Sequence, residues 1–221
     1  MNEILLFIEI AVTFSLLLLF KKAFGKTGVF VWVAIASIIA NIQVLKSVTL
    51  FGISATLGNV MFASIFLATD IMSECYGKKE AKKCVYIGVL SIITYLAISQ
   101  LTLLFTPNDI DVVQSSMQTL FSIAPRTCIA SVTMFFIANI VDVKIYDLLK
   151  RKFKGRRLWI RNNISTIICN CVENFGFVFL AFYAVYPTTE LLSIAISTSL
   201  IEVLIALCDT PFLYIARRKN V

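Results

Sequence analysis

Histidine is absent from this 221-residue chain, and only 15% of its residues are Asp, Glu, Lys or Arg. Without imidazole there is no histidine proton relay and no histidine-containing zinc site. The six cysteines, at 75, 84, 128, 169, 171 and 208, form no CxxC pair. Neither a zinc ribbon nor a disulfide framework is expected, and no cofactor is implied. HExxH and GxSxG do not occur, and the usual nucleophile–base pair needs the missing histidine. The chain is therefore not expected to be an enzyme; an intramembrane enzyme or scaffold working through paired carboxylates is the remaining version of that class. Gly25-Lys26-Thr27 ends like a phosphate-binding loop, but position 20 is Phe where the motif requires glycine, and no strand precedes it.

What the chain has in quantity is apolar surface. Hydrophobic residues make up 59% of it, and the mean hydropathy is +0.88. That excludes an ordinary soluble domain and places the chain in the membrane class. The net charge of +7 then reads as basic cytoplasmic loops, not as a nucleic-acid surface.

A spanning helix needs roughly 20 mostly apolar residues. Seven stretches qualify, near 4–20, 28–46, 55–73, 84–105, 126–143, 163–186 and 189–215. The first ends in Lys21-Lys22 and has neither a basic leader nor a small-x-small cleavage site, so it reads as a span and not a signal peptide. The fold class is thus an all-α, polytopic transmembrane bundle. Basic residues cluster after spans 1, 3, 5 and 7: Lys21, Lys22 and Lys26; Lys78, Lys79, Lys82 and Lys83; eight between Lys144 and Arg161; and Arg217, Arg218 and Lys219. Only Lys46 and Arg126 fall on the other side. The positive-inside rule puts the N-terminus outside and the C-terminus in the cytoplasm. The 106–124 connection carries no basic residue, and its tail reads as a short interfacial helix before Pro125. The basic loop 144–163 reads as an amphipathic extension of span 5 with a turn at Gly155, and Tyr146 and Trp159 as interface anchors.

Polar side chains recur inside the spans at helical spacing. Asn163, Thr166, Asn170, Glu173 and Asn174 form a stripe on span 6; Thr198, Glu202 and Asp209 share a face of span 7. Span 3 carries Asn59, Phe66, Asp70 and Glu74, and span 5 carries Ser131, Phe135, Asn139 and Asp142. Such groups are costly in lipid, about 2.5–3.5 kcal/mol for Asp or a basic residue, so they face a polar interior. Bonding between helices is the plainer role for Asn59, Asn163 and Asn174. It is plainer still for Glu74, Asp142 and Asp209, which sit near cytoplasmic helix ends within reach of water and loop Lys/Arg. Glu173 and Glu202 lie nearer mid-membrane, with no basic residue at their depth. A carboxylate accepts two parallel N–H bonds, the pair a guanine-like base presents. Phe66, Phe135, Phe175 and Phe177 either stack on such a ring or pack the core. Ala36 and Ala40 make a small-xxx-small pair, a docking face for a partner subunit or for another span.

These residues resemble the queuosine precursor transporter family, also called the vitamin uptake transporter family. Asn41, Lys46, Gly52, Gly58, Phe62, Asp70, Glu74, Tyr76 and Gly77 fall where the family motif places them. Pro125-Arg126, the Asp142-basic loop-Trp159 pattern and the last span with Pro211 continue the likeness over 28–218, leaving 1–27 as an extra N-terminal helix and loop on a single domain. The resemblance implies a six-span core similar to vitamin-binding membrane modules. It implies import of a 7-deazaguanine precursor across the cytoplasmic membrane, with Asn41, Lys46, Asp70, Asp142 and Asn170 as functional positions. Four positions depart from the family pattern: Ala138-Asn139 replaces Gly-Gln, Glu173 replaces Asp, and Glu202 replaces Lys. With Phe66, Asn139, Glu173 and Glu202 added from the stripes, the expected partners are a small-molecule base, the bilayer, and a homo-oligomer or an ATPase subunit. In the ATPase version the chain is the substrate-binding subunit of a vitamin uptake complex.

Overall fold

A computed structural model describes residues 1–44, 46–121, 125–154, 157–184 and 187–218, with backbone alone at 47, 53–56, 125–128, 190 and 218. Gly155 and the Arg126 side chain lie outside the described residues.

The N-terminal apolar stretch forms α1 (Asn2–Gln43), which turns back on itself at Gly25. Gly25 holds φ 58° and ψ −137°, a conformation that a Cβ disfavours. In a straight helix Glu9 and Gln43 would stand ~51 Å apart, yet Gln43 Nε2 donates to Glu9 Oε1 at 2.9 Å. The Phe20 and Trp32 rings meet edge-on at 5.7 Å. Gly28 packs so tightly on the returning chain that a Cβ there would lie 2.0 Å from the Phe20 carbonyl oxygen. The arms 2–24 and 26–43 match the first two expected spans, with Lys21, Lys22 and Lys26 at the bend.

Between the expected spans 2 and 3 the structure differs from the sequence reading. Helix α1 stops at Gln43, short of residue 46, and the next helix begins at Asn59 instead of 55. The interval holds an antiparallel hairpin, β1 (Ser47–Leu50) with β2 (Ile53–Thr56). Val48, Thr49, Ile53 and Thr56 are β-branched. Phe51 and Gly52 both take positive φ, 51° and 77°, as a two-residue turn matched to strand twist requires. The hairpin is latched to the N-terminus: Asn2 Nδ2 donates to Thr49 O at 3.0 Å, and Glu3 Oε1 accepts from Phe51 N at 3.2 Å. The architecture is the expected helical bundle, and among the described residues this small hairpin is its one sheet.

The remaining elements are α2 (Asn59–Cys75), α3 (Lys78–Leu103), α4 (Gln114–Phe121), α5 (Pro125–Lys152), α6 (Leu158–Phe182) and α7 (Thr188–Arg218). Helices α1, α3, α5, α6 and α7 are long and apolar enough to cross a membrane. Helix α2, of 17 residues, is the centre of the bundle, packed on α1, α3, α5 and α7 with 14 of its residues buried. The short α4 stands where the sequence placed a helix before Pro125, and it is tied to α3 by Gln100 Nε2 donating to Phe121 O at 2.5 Å. Ala36 and Ala40 are both fully buried in the chain's own core. A Cβ on Gly58 would come within 2.9 Å of Ala40 O, so the small pair serves the close approach of α2, and not a partner surface.

Burial is inverted relative to a soluble protein. Leu90, Ile98, Leu101, Leu200 and Leu207 face outward, while Asp70, Asn139, Asp142, Arg161, Asn162, Asn170 and Asp209 are buried. One end of the bundle gathers the basic loops: Lys26 pairs with Glu80 at 3.7 Å, Lys78 with Asp147 at 2.9 Å, and Lys21 Nζ donates to Ala216 O at 2.6 Å. The β-hairpin and N-terminus mark the other end.

Gly25→Ala places a Cβ at a conformation worth about 1–3 kcal/mol of strain. A lower thermal midpoint in detergent, read by size-exclusion fluorescence, is the expected result; an unchanged midpoint would mean that the two arms do not depend on this bend.

Candidate functional site

Polar side chains from α2, α5, α6 and α7 form a seam along the bundle. Its deepest anchor at the basic end is Glu74, whose side chain is 4% exposed. Arg161 Nη1 meets Glu74 Oε2 at 2.9 Å and Nη2 donates to Oε1 at 3.4 Å. Lys150 Nζ lies 3.3 Å from Oε2, and Arg217 Nε 3.4 Å from Oε1. Tyr146 donates its hydroxyl to the same carboxylate at 3.4 Å, beneath the Arg161 guanidinium, which sits 5.4 Å over its ring. Glu74 thus meets loop cations as expected, but two companions of the sequence reading are corrected. Arg161, counted among loop charges, is fully buried. Tyr146, expected at the membrane interface, is fully buried too, while Trp159 is exposed. Helix α6 begins at Leu158, a turn earlier than the expected 163, and so carries Arg161 into the bundle.

About one turn further in lie Asp70, Asp142 and Asp209. All three are almost completely buried, which overturns the expectation that water and loop Lys/Arg satisfy Asp142 and Asp209. Thr69 Oγ1 donates to Asp142 Oδ2 at 3.4 Å. Ser165 and Cys169 of α6 lie on the same side of the seam, and Asp70 is the chain neighbour of that Thr69. Asn162 Nδ2 donates to Asp209 Oδ1 and to Thr210 Oγ1, and Asn163 Nδ2 donates to Thr210 Oγ1 at 2.7 Å. Among the described residues, neither oxygen of Asp70, Oδ1 of Asp142, nor Oδ2 of Asp209 has a hydrogen-bond partner.

The next layer holds Phe66, Asn139 and Asn170. Phe66 packs on Ala138 and Cys169, the chain neighbours of those two amides. Asn139 is fully buried and donates to Phe135 O of its own helix at 2.8 Å. The Oδ1 atoms of Asn139 and Asn170 have no partner among the described residues. Above them, Glu202 is buried and accepts from Asn174 Nδ2 at 2.7 Å. Glu173, half-buried on α6, is the chain neighbour of that Asn174. From Arg161 to Glu173 the seam climbs ~18 Å along α6.

Two expected positions lie apart from these layers. Asn41 is buried near the hairpin end of α1, donating to Ser37 O of its own helix at 2.7 Å. Lys46 is exposed, just beyond α1. Phe135 packs in the core, tilted against Phe62 at 6.3 Å, and Phe177 meets Phe182 edge-on at 6.0 Å. The sequence reading omitted Thr69, Asn162, Ser165 and Arg161 from the site. A signal existed: Arg161, Ser165 and Cys169 recur at four-residue steps and share one face.

Chemically, the seam is rich in acceptors. The unpartnered oxygens on Asp70, Asn139, Asp142, Asn170 and Asp209 each carry a desolvation penalty of about 1–3 kcal/mol. Such a lining suits a species that brings N–H donors. Removing Glu74 leaves Arg161 buried without its charge partner, which costs about 3–5 kcal/mol. Glu74→Gln is expected to lower the thermal midpoint sharply, and Glu74→Gln with Arg161→Met to recover part of it. Equal losses in single and double variants would contradict the ion-pair account.

Residues 56–216 match the family model described as "Putative vitamin uptake transporter". The chain is similar to a protein of Bacillus subtilis (strain 168) named "Probable queuosine precursor transporter", 41% identical over 206 residues, covering 93% of this chain and 90% of that one. It is also similar to the "Queuosine precursor transporter" of Escherichia coli (strain K12), 24% identical, covering 65% of this chain and 62% of that one. A "Probable queuosine precursor transporter" of Haemophilus influenzae is 25% identical over 60% of this chain and 54% of its own. No solved structure matches. The chain is a multi-pass cell-membrane protein that belongs to the vitamin uptake transporter family, the family of the queuosine precursor transporters.

Proposed function

We propose that this protein imports a queuosine precursor across the cytoplasmic membrane, a 7-deazaguanine-type base such as 7-cyano-7-deazaguanine, 7-aminomethyl-7-deazaguanine or queuine. In this reading the chain crosses seven times: the two arms of α1, then α2, α3, α5, α6 and α7. The basic end faces the cytoplasm and the hairpin end faces outside.

The observation that carries the proposal is the carboxylate pair Glu173 and Glu202, held mid-bundle with Asn174 bonded to one of them. A guanine-like edge offers parallel N–H donors to a carboxylate. Glu173 reads that edge. Asn139 and Asn170 supply the amide oxygens one layer further in, and Phe66 walls the ring. Glu202, where the family pattern has Lys, adds a negative charge that favours a cargo carrying an amine, the aminomethyl form or queuine. Asp70 and Asp142 line the way to the cytoplasm, and Glu74 with its three cations closes it. Asn41 and Lys46 act at the hairpin end, where cargo enters. The names of the relatives support the cargo class.

The test is rescue of queuosine in tRNA. A bacterial strain lacking both precursor synthesis and its own transporter expresses this chain and receives each 7-deazaguanine at limiting concentration. Modified tRNA is expected with at least one base, lost in Glu173→Ala, and Glu202→Lys is expected to shift preference away from the amine-bearing bases. No modified tRNA with any base, despite membrane expression, would overturn the cargo assignment; unchanged uptake by Glu202→Lys would overturn the role of Glu202.

A further inference from the structure

We propose that Asp70 and Asp142 together bind one exchangeable proton, and that this proton moves inward with the cargo; the second half rests on the importer reading above. Two buried carboxyl groups stand on packed helices, α2 and α5, where Thr69, the chain neighbour of Asp70, donates to Asp142 Oδ2 at 3.4 Å. Carboxylate oxygens only accept, so two such groups can share a hydrogen bond only when one of them carries a proton. Asp70 is 1% exposed and Asp142 fully buried. Neither oxygen of Asp70 has a donor among the described residues.

The surrounding charges do not supply one. Asp70 faces Glu74 one turn along α2, Asp209 on α7 and Arg161 on α6. Tyr146 on α5 and Cys169 on α6 complete the titratable groups nearby, with Glu173 a turn beyond Cys169. Arg161 directs both terminal nitrogens to Glu74, at 2.9 and 3.4 Å. Lys150 and Arg217 pair with that same carboxylate. The cations are gathered at Glu74; among the described residues the aspartates beyond it accept from neutral groups, the Thr69 hydroxyl and the Asn162 amide, with the Ser165, Cys169 and Thr210 side chains close by.

One proton between Asp70 and Asp142 takes the pair from two negative charges to one. It places a hydrogen between oxygens that otherwise repel, and that matters most where water does not screen. The pair lies between the Glu173–Glu202 layer and the Glu74 closure, on the path of the cargo. A proton taken up with cargo from outside relaxes the pair; release into the cytoplasm restores two charges and resets it. Helices α2 and α5 separate or close according to that occupancy, so the site is placed to couple the proton gradient to opening at the basic end.

The first test needs no cargo. Purified protein is titrated from mildly acidic to alkaline pH while the infrared C=O stretch of protonated carboxyl groups is recorded. A titrating band is expected, lost in Asp70→Asn and in Asp142→Asn and kept in Glu173→Gln. No titrating band, or one that neither Asn variant alters, overturns the proton site. In proteoliposomes, a one-unit inward proton gradient is expected to accumulate 7-cyano-7-deazaguanine about tenfold at one proton per base. Entry of the base without accumulation, and without acidification of the lumen, overturns the coupling and leaves the cargo reading standing. A band that titrates as expected, with no entry of any 7-deazaguanine, upholds the proton site and overturns the cargo reading instead.

Discussion

The bundle depends on one buried carboxylate. Glu74 of α2 takes Arg161 from α6, Lys150 and Tyr146 from α5, and Arg217 from α7. Charges taken out of water repay their desolvation only when the geometry is good and the remaining donors are used. Arg161 has two contacts to Glu74 and a ring beneath it. Four helices therefore converge on one group, and their relative depth is set by it. The other polar layers follow from that register. Asp70 lies four residues back along α2, Asp142 four residues before Tyr146 on α5, and Ser165 four residues after Arg161 on α6. Each stands one turn above its partner in the hub.

The same register explains why so many polar groups persist in an apolar bundle. Glue between helices accounts for Asn162, Asn163 and Asn174, which donate across to Asp209, Thr210 and Glu202. It does not account for the unpartnered oxygens of Asp70, Asn139 and Asn170. A chain selected for stability alone would bury apolar groups there. In the proposed reading, acceptors held open along the interior are matched to something that arrives with donors: the edge of a base, or a proton.

Much of this was legible in the sequence, because apolar length and helical spacing are local signals. The stretches 84–105, 126–143, 163–186 and 189–215 correspond to α3, α5, α6 and α7, with α3 ending at Leu103 and α6 at Phe182, and the helix before Pro125 formed as α4. The stripe Thr166, Asn170, Glu173, Asn174 lies along the seam with Glu202 and Asp209 opposite. The hairpin at 47–56 was hidden because summed hydropathy registers apolar residues whatever their period. The depth of Arg161 and Tyr146 was hidden because it turns on helix ends, which patterns place only to within a few residues. Starting α6 five residues earlier brought Arg161 indoors. The bond from Thr69 to Asp142 joins residues 73 positions apart, and no periodicity within one helix reports such a contact.

The central claim is that the seam recognises a guanine-like edge by its donors. Equilibrium binding to the purified protein tests it most directly, comparing a 7-deazaguanine with the 7-deazaadenine of the same substituent. A site built on acceptors rejects an analogue that lacks the matching donors by orders of magnitude. The account predicts binding of the 7-deazaguanine alone, abolished in Glu173→Gln. Equal binding of both bases, or binding indifferent to Glu173, would contradict it.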